Sequence, residues 1–237
     1  MILIIKHIGI EEPGSMGEFF SNTSWQLQTV ELWAGEKLPS RPIDAEAIIL
    51  LGGPMNVYQE MQYSFLKEEN EFLKEALKQE IPILGVCLGA QLLAKASSAE
   101  VKKNPEKEIG WRCVDLTEEG KKDPLFSGLS PKPLVFQWHQ DTFDIPVGAT
   151  LLARGAGCVN QAFRIGRRAY GLQFHIEVTP RMVESWADAY REETSGVDVK
   201  EMIAEAYRNN EEFNRQAGML YLNFARIIEA AAGVTAG

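Results

Sequence analysis

Hydrophobic residues fall in separate blocks along the first half of the chain, and their spacing changes from block to block. Residues 2–5, 47–51 and 81–86 are uninterrupted apolar runs, which are typical of strands covered on both faces of a sheet. Between the last two runs, residues 65–77 carry apolar side chains at helical spacing, with Ser64 as a candidate N-cap. Strands that alternate with a helix in this way predict an α/β fold.

The second half of the chain has shorter apolar segments, separated by Gly, Pro and Asp. We expect strands in a more antiparallel arrangement here, at residues 111–116, 134–138, 150–153, 162–165 and 169–178. From Pro180 onward the pattern is helical, with Thr179 as the N-cap and Pro180 at the first helical position. Near the end, an apolar stripe steps by three and four positions, through Phe213, Ala217, Leu220, Phe224, Ile227 and Ala231.

The chain shows no internal repeat and no long linker. We therefore predict one domain over residues 1–193, with residues 194–237 as a C-terminal helical extension of it. The apolar stripe predicts that this extension packs on the main domain, and a dimer contact is the alternative use of the same face.

Composition narrows the classes of function. The 237 residues are 45% hydrophobic and 24% charged, which is enough apolar mass for a buried core. The net charge of −9 argues against nucleic acid as a partner, and no apolar run approaches the roughly 18 residues needed to span a membrane. Three cysteines without a CxxC pair favour a reduced, cytoplasmic setting and give no sign of a redox couple or a zinc site.

The third apolar run ends in Gly85-x-Cys87-x-Gly89 and continues into the helix-forming residues 91–95. This is the layout of a nucleophile elbow, a sharp strand-to-helix turn that holds the central residue in a strained backbone conformation. The helix N-terminus favours a negative charge, so a thiolate is favoured at that position. Cys87 is therefore a candidate nucleophile, and the alternative is a buried cysteine that acts only as a small apolar side chain.

A cysteine nucleophile needs a histidine, and alternation along residues 169–178 points to one. Gln173, His175 and Glu177 share one face of this predicted strand, opposite an apolar face. The Glu177 carboxylate can then orient the His175 imidazole, as the third member of a catalytic triad does. A solvated polar edge on an amphipathic strand is the alternative.

The other two histidines have less defined patterns. His7 lies in the first predicted strand, which favours a hydrogen-bonded histidine of the core. His139 either lines a pocket or is a structural histidine held by Asp141.

An anionic tetrahedral intermediate also needs hydrogen-bond donors. One is the main-chain N–H of Leu88, directly after the candidate nucleophile. A second is expected from the Gly-Gly-Pro turn at residues 52–54, which follows a strand; an ordinary tight turn is the alternative.

Three motifs in this order, Gly-Gly-Pro at 52–54, Gly-Val-Cys-Leu-Gly-Ala-Gln at 85–91 and Phe-His-Ile-Glu at 174–177, resemble the class I (triad) glutamine amidotransferases. The similarity is greatest to stand-alone members that are similar to the amidotransferase domain of GMP synthase, and it runs from the first strand to about residue 189. It implies a three-layer, flavodoxin-like α/β fold in a single domain, with a mixed, mainly parallel central sheet.

The resemblance also assigns roles to residues. It implies Cys87 as nucleophile, His175 as acid and base, and Glu177 as the group that orients the histidine. Gly53 and Leu88 would supply the oxyanion N–H groups.

A further set of residues is implied to bind substrate. These are Gly52 in the glycine turn, the side chain of Gln91, and a strand whose backbone would grip the amino and carboxylate ends of the substrate, with Asn160, Gln161 and Phe163. An ordinary strand is the alternative for residues 160–163.

The implied activity is hydrolysis of glutamine to glutamate and ammonia through a cysteine thioester, with no metal or organic cofactor. The sequence departs from the family at Ile176, where many relatives have proline, and after about residue 193. No segment resembles a synthetase domain, so an ammonia-accepting synthetase would be a separate partner. Two alternatives stay open: a gamma-glutamyl peptidase or hydrolase with the same triad, and a non-catalytic binding module of the same fold.

Overall fold

The computed structural model describes residues 1–234 of the chain. Its strands are β1 (Ile2–Lys6), β2 (Leu27–Glu31), β3 (Ala47–Leu50), β4 (Ile83–Val86), β5 (Val101–Cys113), β6 (Asp115–Leu116), β7 (Leu134–Phe143), β8 (Thr150–Arg154), β9 (Ala162–Ile165) and β10 (Ala169–Leu172). Its α-helices are α1 (Gly14–Ser21), α2 (Phe65–Lys78), α3 (Leu88–Ala96), α4 (Pro180–Ala189), α5 (Val199–Arg208) and α6 (Asn210–Val234).

The central sheet is mixed and mainly parallel, as the sequence predicts. Its strand order is β2-β1-β3-β4-β10-β9-β8-β6. The neighbours from β2 to β10 run parallel, and those from β10 to β6 run antiparallel. The carboxyl ends of β3, β4 and β10 therefore lie at one edge of the sheet, where the candidate site residues follow each strand.

Alternation along β1 builds the two sides of the sheet. Ile2 and Ile4 face a core that includes side chains of α1 and α6, and Leu3 and Ile5 face a core that includes side chains of α2 and α3. Helices thus cover both faces, which is why the strands read as continuous apolar runs. The result is the three-layer α/β architecture expected from the sequence.

A two-stranded antiparallel ribbon, β5 paired with β7, stands apart from the central sheet. Its register places Glu108 opposite His139. A single antiparallel bridge between Phe136 and His175 joins the ribbon to the chain that leaves β10. The ribbon is thereby fixed next to the carboxyl edge of the sheet.

The C-terminal helix α6 packs against the sheet through the predicted stripe. Ala217, Leu220, Phe224 and Ile227 belong to the same core as β1 and α1, while Phe213 belongs to a third cluster with α4 and the ribbon. Residues 235–237 of the predicted extension lie outside the described residues. None of the helices in residues 1–234 combines the length and hydropathy that crossing a membrane requires.

The sequence did not predict α1 and β2. β2 is an edge strand with two exposed positions in its middle, and α1 is only eight residues long, so neither gives a strong periodic signal. The predicted strand at 169–178 is also shorter than expected. Regular pairing ends at Leu172, because residues 173–178 leave the sheet with the single bridge at His175.

Candidate active site

Cys87 lies in the turn between β4 and α3 with a left-handed backbone, φ +52° and ψ −107°. Its N–H donates to the Leu172 carbonyl oxygen at 2.7 Å, which ties the turn to β10. The flanking glycines are required by close packing: a Cβ on Gly85 would lie 2.6 Å from the Gly89 oxygen, and one on Gly89 would overlap the carbonyl oxygen of Leu50. The sharp, strained turn expected of a nucleophile elbow is present.

His175 and Glu177 form a short hydrogen bond, 2.6 Å between Nδ1 and Oε1. The second carboxylate oxygen accepts the Ile176 N–H at 2.9 Å, and Ser15 donates its N–H to the Glu177 carbonyl oxygen at 3.0 Å. The imidazole also packs edge-on against Trp186, with ring centroids 4.9 Å apart. Both side chains are buried, so this face is not a solvated strand edge, and the ring is held in one orientation.

The position of the Glu177 contact leaves the Nε2 side of the His175 ring for the sulfur of Cys87. Burial by itself lowers the pKa of His175, but the Glu177 carboxylate and an electrostatic and hydrogen-bonding interaction with Cys87 raise that pKa well above its ordinary value. The imidazole therefore holds a proton readily between the carboxylate and the sulfur. The Cys87 thiol also points to the Trp138 carbonyl oxygen at 3.7 Å.

Cys87 and His175 share the wall of one cavity of about 290 Å³. Only 6% of the surface of Cys87 is exposed, so the residue is closely packed. It nevertheless forms part of the cavity wall. The remaining lining residues come from the glycine turn and the residues after it, from β7, from α4 and the residues after it, and singly from the segment after β1, from α3 and from β5. They are Glu11, Gly53, Pro54, Met55, Asn56, Gln91, Lys107, Trp138, His139, Gln140, Asp141, Trp186, Tyr190 and Glu193.

The two predicted oxyanion donors lie next to each other. Gly53 is on the cavity wall, and a Cβ there would lie 2.8 Å from Cδ2 of Leu88. Leu88 is the first residue of α3, so its N–H has no acceptor within the helix. Gly52 lies against the histidine, because a Cβ at Gly52 would be 3.1 Å from Cε1 of His175.

Gln91 also lies at the cavity, as expected of a substrate-binding side chain. Its amide Nε2 donates to the Asp141 carbonyl oxygen and to Oε1 of Gln173, both at 3.2 Å. Gln173 in turn directs its Nε2 at the Cys87 sulfur, 3.8 Å away. Gln91 is therefore held in place by neighbours of the nucleophile.

Asn160, Gln161 and Phe163 are not among the residues that line the cavity, and the expected contact of this strand's backbone with substrate stays a prediction. Asn160 donates to the Phe143 carbonyl oxygen at 2.8 Å. Gln161 and Phe163 are completely buried, and Gln161 donates to Glu108 at 2.8 Å. These side chains are used inside the fold, and the wall facing Cys87 is built from residues 138–141 of β7 instead.

The other histidines lie as follows. His7 is buried between the Gly52 carbonyl oxygen, 3.1 Å from Nδ1, and the Glu69 carboxylate, 2.9 Å from Nε2, which is the hydrogen-bonded core histidine that the sequence favours. The sequence left two roles open for His139, and the structure gives it both. It lines the cavity, and Asp141 holds its Nδ1 at 3.0 Å. The holding group is the main-chain carbonyl of Asp141 rather than its carboxylate.

Sequence reasoning did not identify Glu11, whose buried carboxylate lies on the cavity wall next to Gly52. Tyr190 donates its hydroxyl to Oε1 of Glu11 at 3.3 Å. Burial raises the pKa of Glu11 to about 7, with His175 acting to lower it and Glu177 to raise it. Glu11 follows the carboxyl end of β1, and in parallel sheets that edge is where ligands bind; this position was the available signal.

A second set of the same three residue types lies nearby: Cys158, His139 and Glu108. Cys158 is fully buried, and burial raises the pKa of its thiol. Of the cysteines in the described part of the chain, Cys87 lines the cavity, whereas Cys158 and the exposed Cys113 do not. Among these three cysteines, Cys87 is therefore the one placed to meet a ligand in this cavity.

The pattern of one family, described as "glutamine amidotransferase class-I", matches residues 22–185, well over half of the chain. The chain belongs to the class I glutamine amidotransferase family. The solved structure of a glutamine amidotransferase from Thermotoga maritima is 36% identical in sequence and superposes with a TM-score of 0.87, covering 96% of this chain and 97% of that one. A glutamine amidotransferase from Methylobacillus flagellatus is 27% identical, with a TM-score of 0.88 over 95% of this chain and 94% of its own.

Two relatives known from sequence belong to proteins of very different length. The glutamine amidotransferase-like protein YfeJ of Salmonella typhimurium is 29% identical over 202 residues, 84% of each chain. The glutamine-hydrolyzing GMP synthase of Thermosipho melanesiensis is also 29% identical, over 73% of this chain but only 33% of the synthase. The chain thus matches a third of that synthase and most of YfeJ.

Proposed function

We propose that this protein hydrolyses the side-chain amide of glutamine to glutamate and ammonia, with Cys87, His175 and Glu177 as its catalytic triad. The observation that carries the proposal is the shared cavity: the sulfur of Cys87 and the imidazole of His175 face one space, and Glu177 holds the far nitrogen of that imidazole at 2.6 Å. Membership of the class I family supports the same reaction.

The first half of the reaction forms a thioester. The Cys87 sulfur bonds to the side-chain carbonyl carbon of glutamine, while His175 takes the thiol proton. The N–H groups of Gly53 and Leu88 stabilise the negative charge that develops on the carbonyl oxygen, and each donor of this kind contributes about 3 kcal/mol to lowering the barrier. The carbon–nitrogen bond then breaks, and His175 gives its proton to the leaving nitrogen, which departs as ammonia.

The second half regenerates the thiol. Water attacks the thioester carbon, His175 takes a proton from the water, and the carbon–sulfur bond breaks as that proton passes to the sulfur. Glutamate leaves with the oxygen that came from water. The Glu177 side chain orients the imidazole and stabilises the imidazolium that forms in each half.

Substrate positioning falls to Gln91 and the β7 wall. Gln91 is fixed by two hydrogen bonds at the cavity, and residues 138–141 face the nucleophile from β7. We assign the use of the released ammonia to a separate synthetase partner in the cytoplasm, where the free cysteines of the chain would stay reduced.

The decisive experiment compares two reactions of the purified chain: ammonia release from glutamine, and amine release from gamma-glutamyl peptides. We expect glutamine to be the better substrate by kcat/KM and Cys87→Ala to lose the activity. Cys113→Ala, which changes an exposed cysteine away from the cavity, is the matched control and should keep it. A preference for gamma-glutamyl peptides would replace the proposal with a gamma-glutamyl hydrolase. Activity that survives in Cys87→Ala would remove both enzymes and leave a binding module.

A further inference from the structure

The second cysteine–histidine–glutamate set joins three separate elements of the fold. Glu108 lies in β5, His139 lies opposite it in β7, and Cys158 lies in the loop between β8 and β9. All three side chains are buried, and their ligating atoms lie within 4.8 Å of one another. The Glu108 oxygen and Nε2 of His139 are 3.1 Å apart.

The hydrogen bonds of His139 fix what its second nitrogen can do. Nδ1 lies 3.0 Å from the Asp141 carbonyl oxygen, which can only accept, so Nδ1 carries the hydrogen. The lone pair of Nε2 in the neutral ring then faces the carboxylate of Glu108. Two acceptors at this distance require a positive particle between them, which is either a proton, carried by the imidazole or by the carboxyl group, or a metal ion.

The sulfur of Cys158 distinguishes this pair from His7 and Glu69, the buried histidine–glutamate pair that also lies outside the proposed triad. His7 has the equivalent two contacts, with the Gly52 carbonyl oxygen and with Glu69. Over residues 1–234, however, only the His139 pair is joined by a third ligating atom within this reach. Two ligands are too few for a protein metal site, whereas three with an open fourth position are typical of zinc.

The surroundings supply outer hydrogen bonds and a path to solvent. Gln161 donates to the Glu108 carboxylate at 2.8 Å, and Thr142 lies 3.0 Å from the Cys158 sulfur. The Gln137 side chain joins the network through Gln161 and has a buried amide oxygen without a hydrogen-bond partner in the described residues, so a metal-bound water could donate to an acceptor of this network. His139 reaches the catalytic cavity, and Glu108 reaches a second cavity of about 230 Å³.

We propose that Glu108, His139 and Cys158 form a binding site for one zinc ion. Imidazole and thiolate ligands with a carboxylate are the donor set that zinc prefers, and the carbonyl contact at Nδ1 is the usual outer partner of a metal-bound histidine. On binding, the metal bonds to the Cys158 sulfur, to Nε2 of His139 and to a Glu108 oxygen. The thiol proton and any proton held between His139 and Glu108 are released to solvent.

A zinc ion here would brace the wall of the catalytic cavity. It would link β5, β7 and the β8–β9 loop. The link would extend to Gln91, because His139 and Gln91 contact the same Asp141 carbonyl oxygen. The site is separate from the proposed catalytic thiol, since Cys158 does not line the catalytic cavity.

Cobalt(II) titration of the full chain, stripped with a chelator, tests the site directly. We expect one equivalent to bind, with a near-ultraviolet sulfur-to-cobalt charge-transfer band and the visible bands of a tetrahedral ion, and zinc to displace it. Cys158→Ser should lose the sulfur band, whereas Cys87→Ala and Cys113→Ser should keep it. Because Cys87→Ala is the variant that abolishes the proposed hydrolysis, metal binding and activity can fail independently.

Zinc should also raise the melting temperature of the stripped wild-type protein, because it binds the folded state. Cys158→Ser should lose that rise while its circular dichroism spectrum stays that of the wild type. Glu108→Gln provides a second variant, with at least a tenfold loss of cobalt affinity. No cobalt band in the wild type, a band that survives in Cys158→Ser, or one that disappears in Cys87→Ala would each overturn the proposal.

Discussion

Residues 1–234 contain two buried cysteine–histidine–glutamate sets, and they differ in which nitrogen of the imidazole the carboxylate contacts. In the first, Glu177 contacts Nδ1 of His175, which leaves Nε2 for the sulfur of Cys87. In the second, Glu108 contacts Nε2 of His139, and a main-chain carbonyl takes Nδ1. A ring with one nitrogen available can pass a proton to a nucleophile, and a ring with both engaged cannot do so without losing a partner.

The two cysteines also differ in their backbone position and in their access to the cavity. Cys87 lies on a strained turn at a helix N-terminus and opens to the cavity, whereas Cys158 is enclosed in a loop beside Thr142. Identical residue types therefore support two different proposals, a proton-transfer site in one place and a metal site in the other. Backbone placement, not composition, separates the two chemistries.

The largest expected effect comes from exchanging the two cysteines for alanine. Cys87→Ala should lower kcat for glutamine hydrolysis by about 10⁴-fold or more, since it removes the nucleophile. Cys158→Ala should change kcat/KM by less than about tenfold, because its sulfur does not reach the cavity. Ammonia release measured for both variants checks this. A large loss in Cys158→Ala with activity kept in Cys87→Ala would mean that the two sets had been assigned the wrong way round.

The two carboxylates provide the next contrast. Glu177→Gln should lower kcat by roughly 10²–10⁴-fold, since loss of the oriented carboxylate costs an enzyme of this type up to about 10⁴-fold. It should also lower the pKa of His175, because the charge of Glu177 makes the largest contribution that raises this pKa. NMR titration of the imidazole would follow that change.

Glu108→Gln is the matched control for the carboxylate experiment, and it should leave the His175 titration unchanged. A His175 pKa that does not move in Glu177→Gln would contradict the assigned contact.

The wild type should also lose unfolding free energy as the pH rises through the raised pKa of His175, because the extra proton stabilises the folded state only below that pH.

Gly89→Ala tests the elbow that sets the first site apart. An added Cβ would overlap the main-chain oxygen of Leu50, which cannot move without distorting β3. We expect a loss of about 1–3 kcal/mol in unfolding free energy together with reduced activity. Gly218→Ala is the control, because that glycine lies in α6 with open space around it and alanine should stabilise the helix by up to about 1 kcal/mol. Denaturant unfolding of both variants gives the comparison.

Much of the first site could be predicted from the sequence, because its parts are encoded locally. The elbow is five consecutive residues, 85–89, that end a strand and begin a helix, and His175 and Glu177 are two positions apart on one face of an extended segment. Local spacing of this kind fixes both the geometry and the residue types. The main sheet could be predicted for the same reason, since its buried strands read as continuous apolar runs.

The second set could not be predicted in this way. Glu108 meets His139 only because β5 and β7 pair in one particular register, with a bulge between Lys103 and Glu108, and Cys158 arrives from a different loop. The cavity wall has the same origin, since the paired strand β7 contributes residues 138–141 to it. Long-range pairing leaves no periodic signal in a single sequence.

The smallest expected effect concerns the ionisation of Glu11, whose carboxyl group lies near His175 in the first site. The pKa of Glu11 is raised to about 7, mainly by burial, so the folded state holds a proton that the unfolded chain releases at lower pH. Unfolding free energy should therefore fall as the pH rises from about 4.5 to about 7. Glu11→Gln should remove at least about 1.4 kcal/mol of that fall, the equivalent of one pKa unit.

Thermal unfolding from pH 5 to pH 8 would measure this difference, with Glu18→Gln as the control because that glutamate is exposed in α1. If Glu11→Gln follows the wild-type pH profile, Glu11 is ionised throughout this range and its negative charge is part of the cavity at every pH tested. If the slope disappears as expected, the cavity gains a negative charge near neutral pH, directly beside the imidazole that carries the proton. That charge would favour the protonated form of His175, since Glu11 lies beside Gly52 and His175.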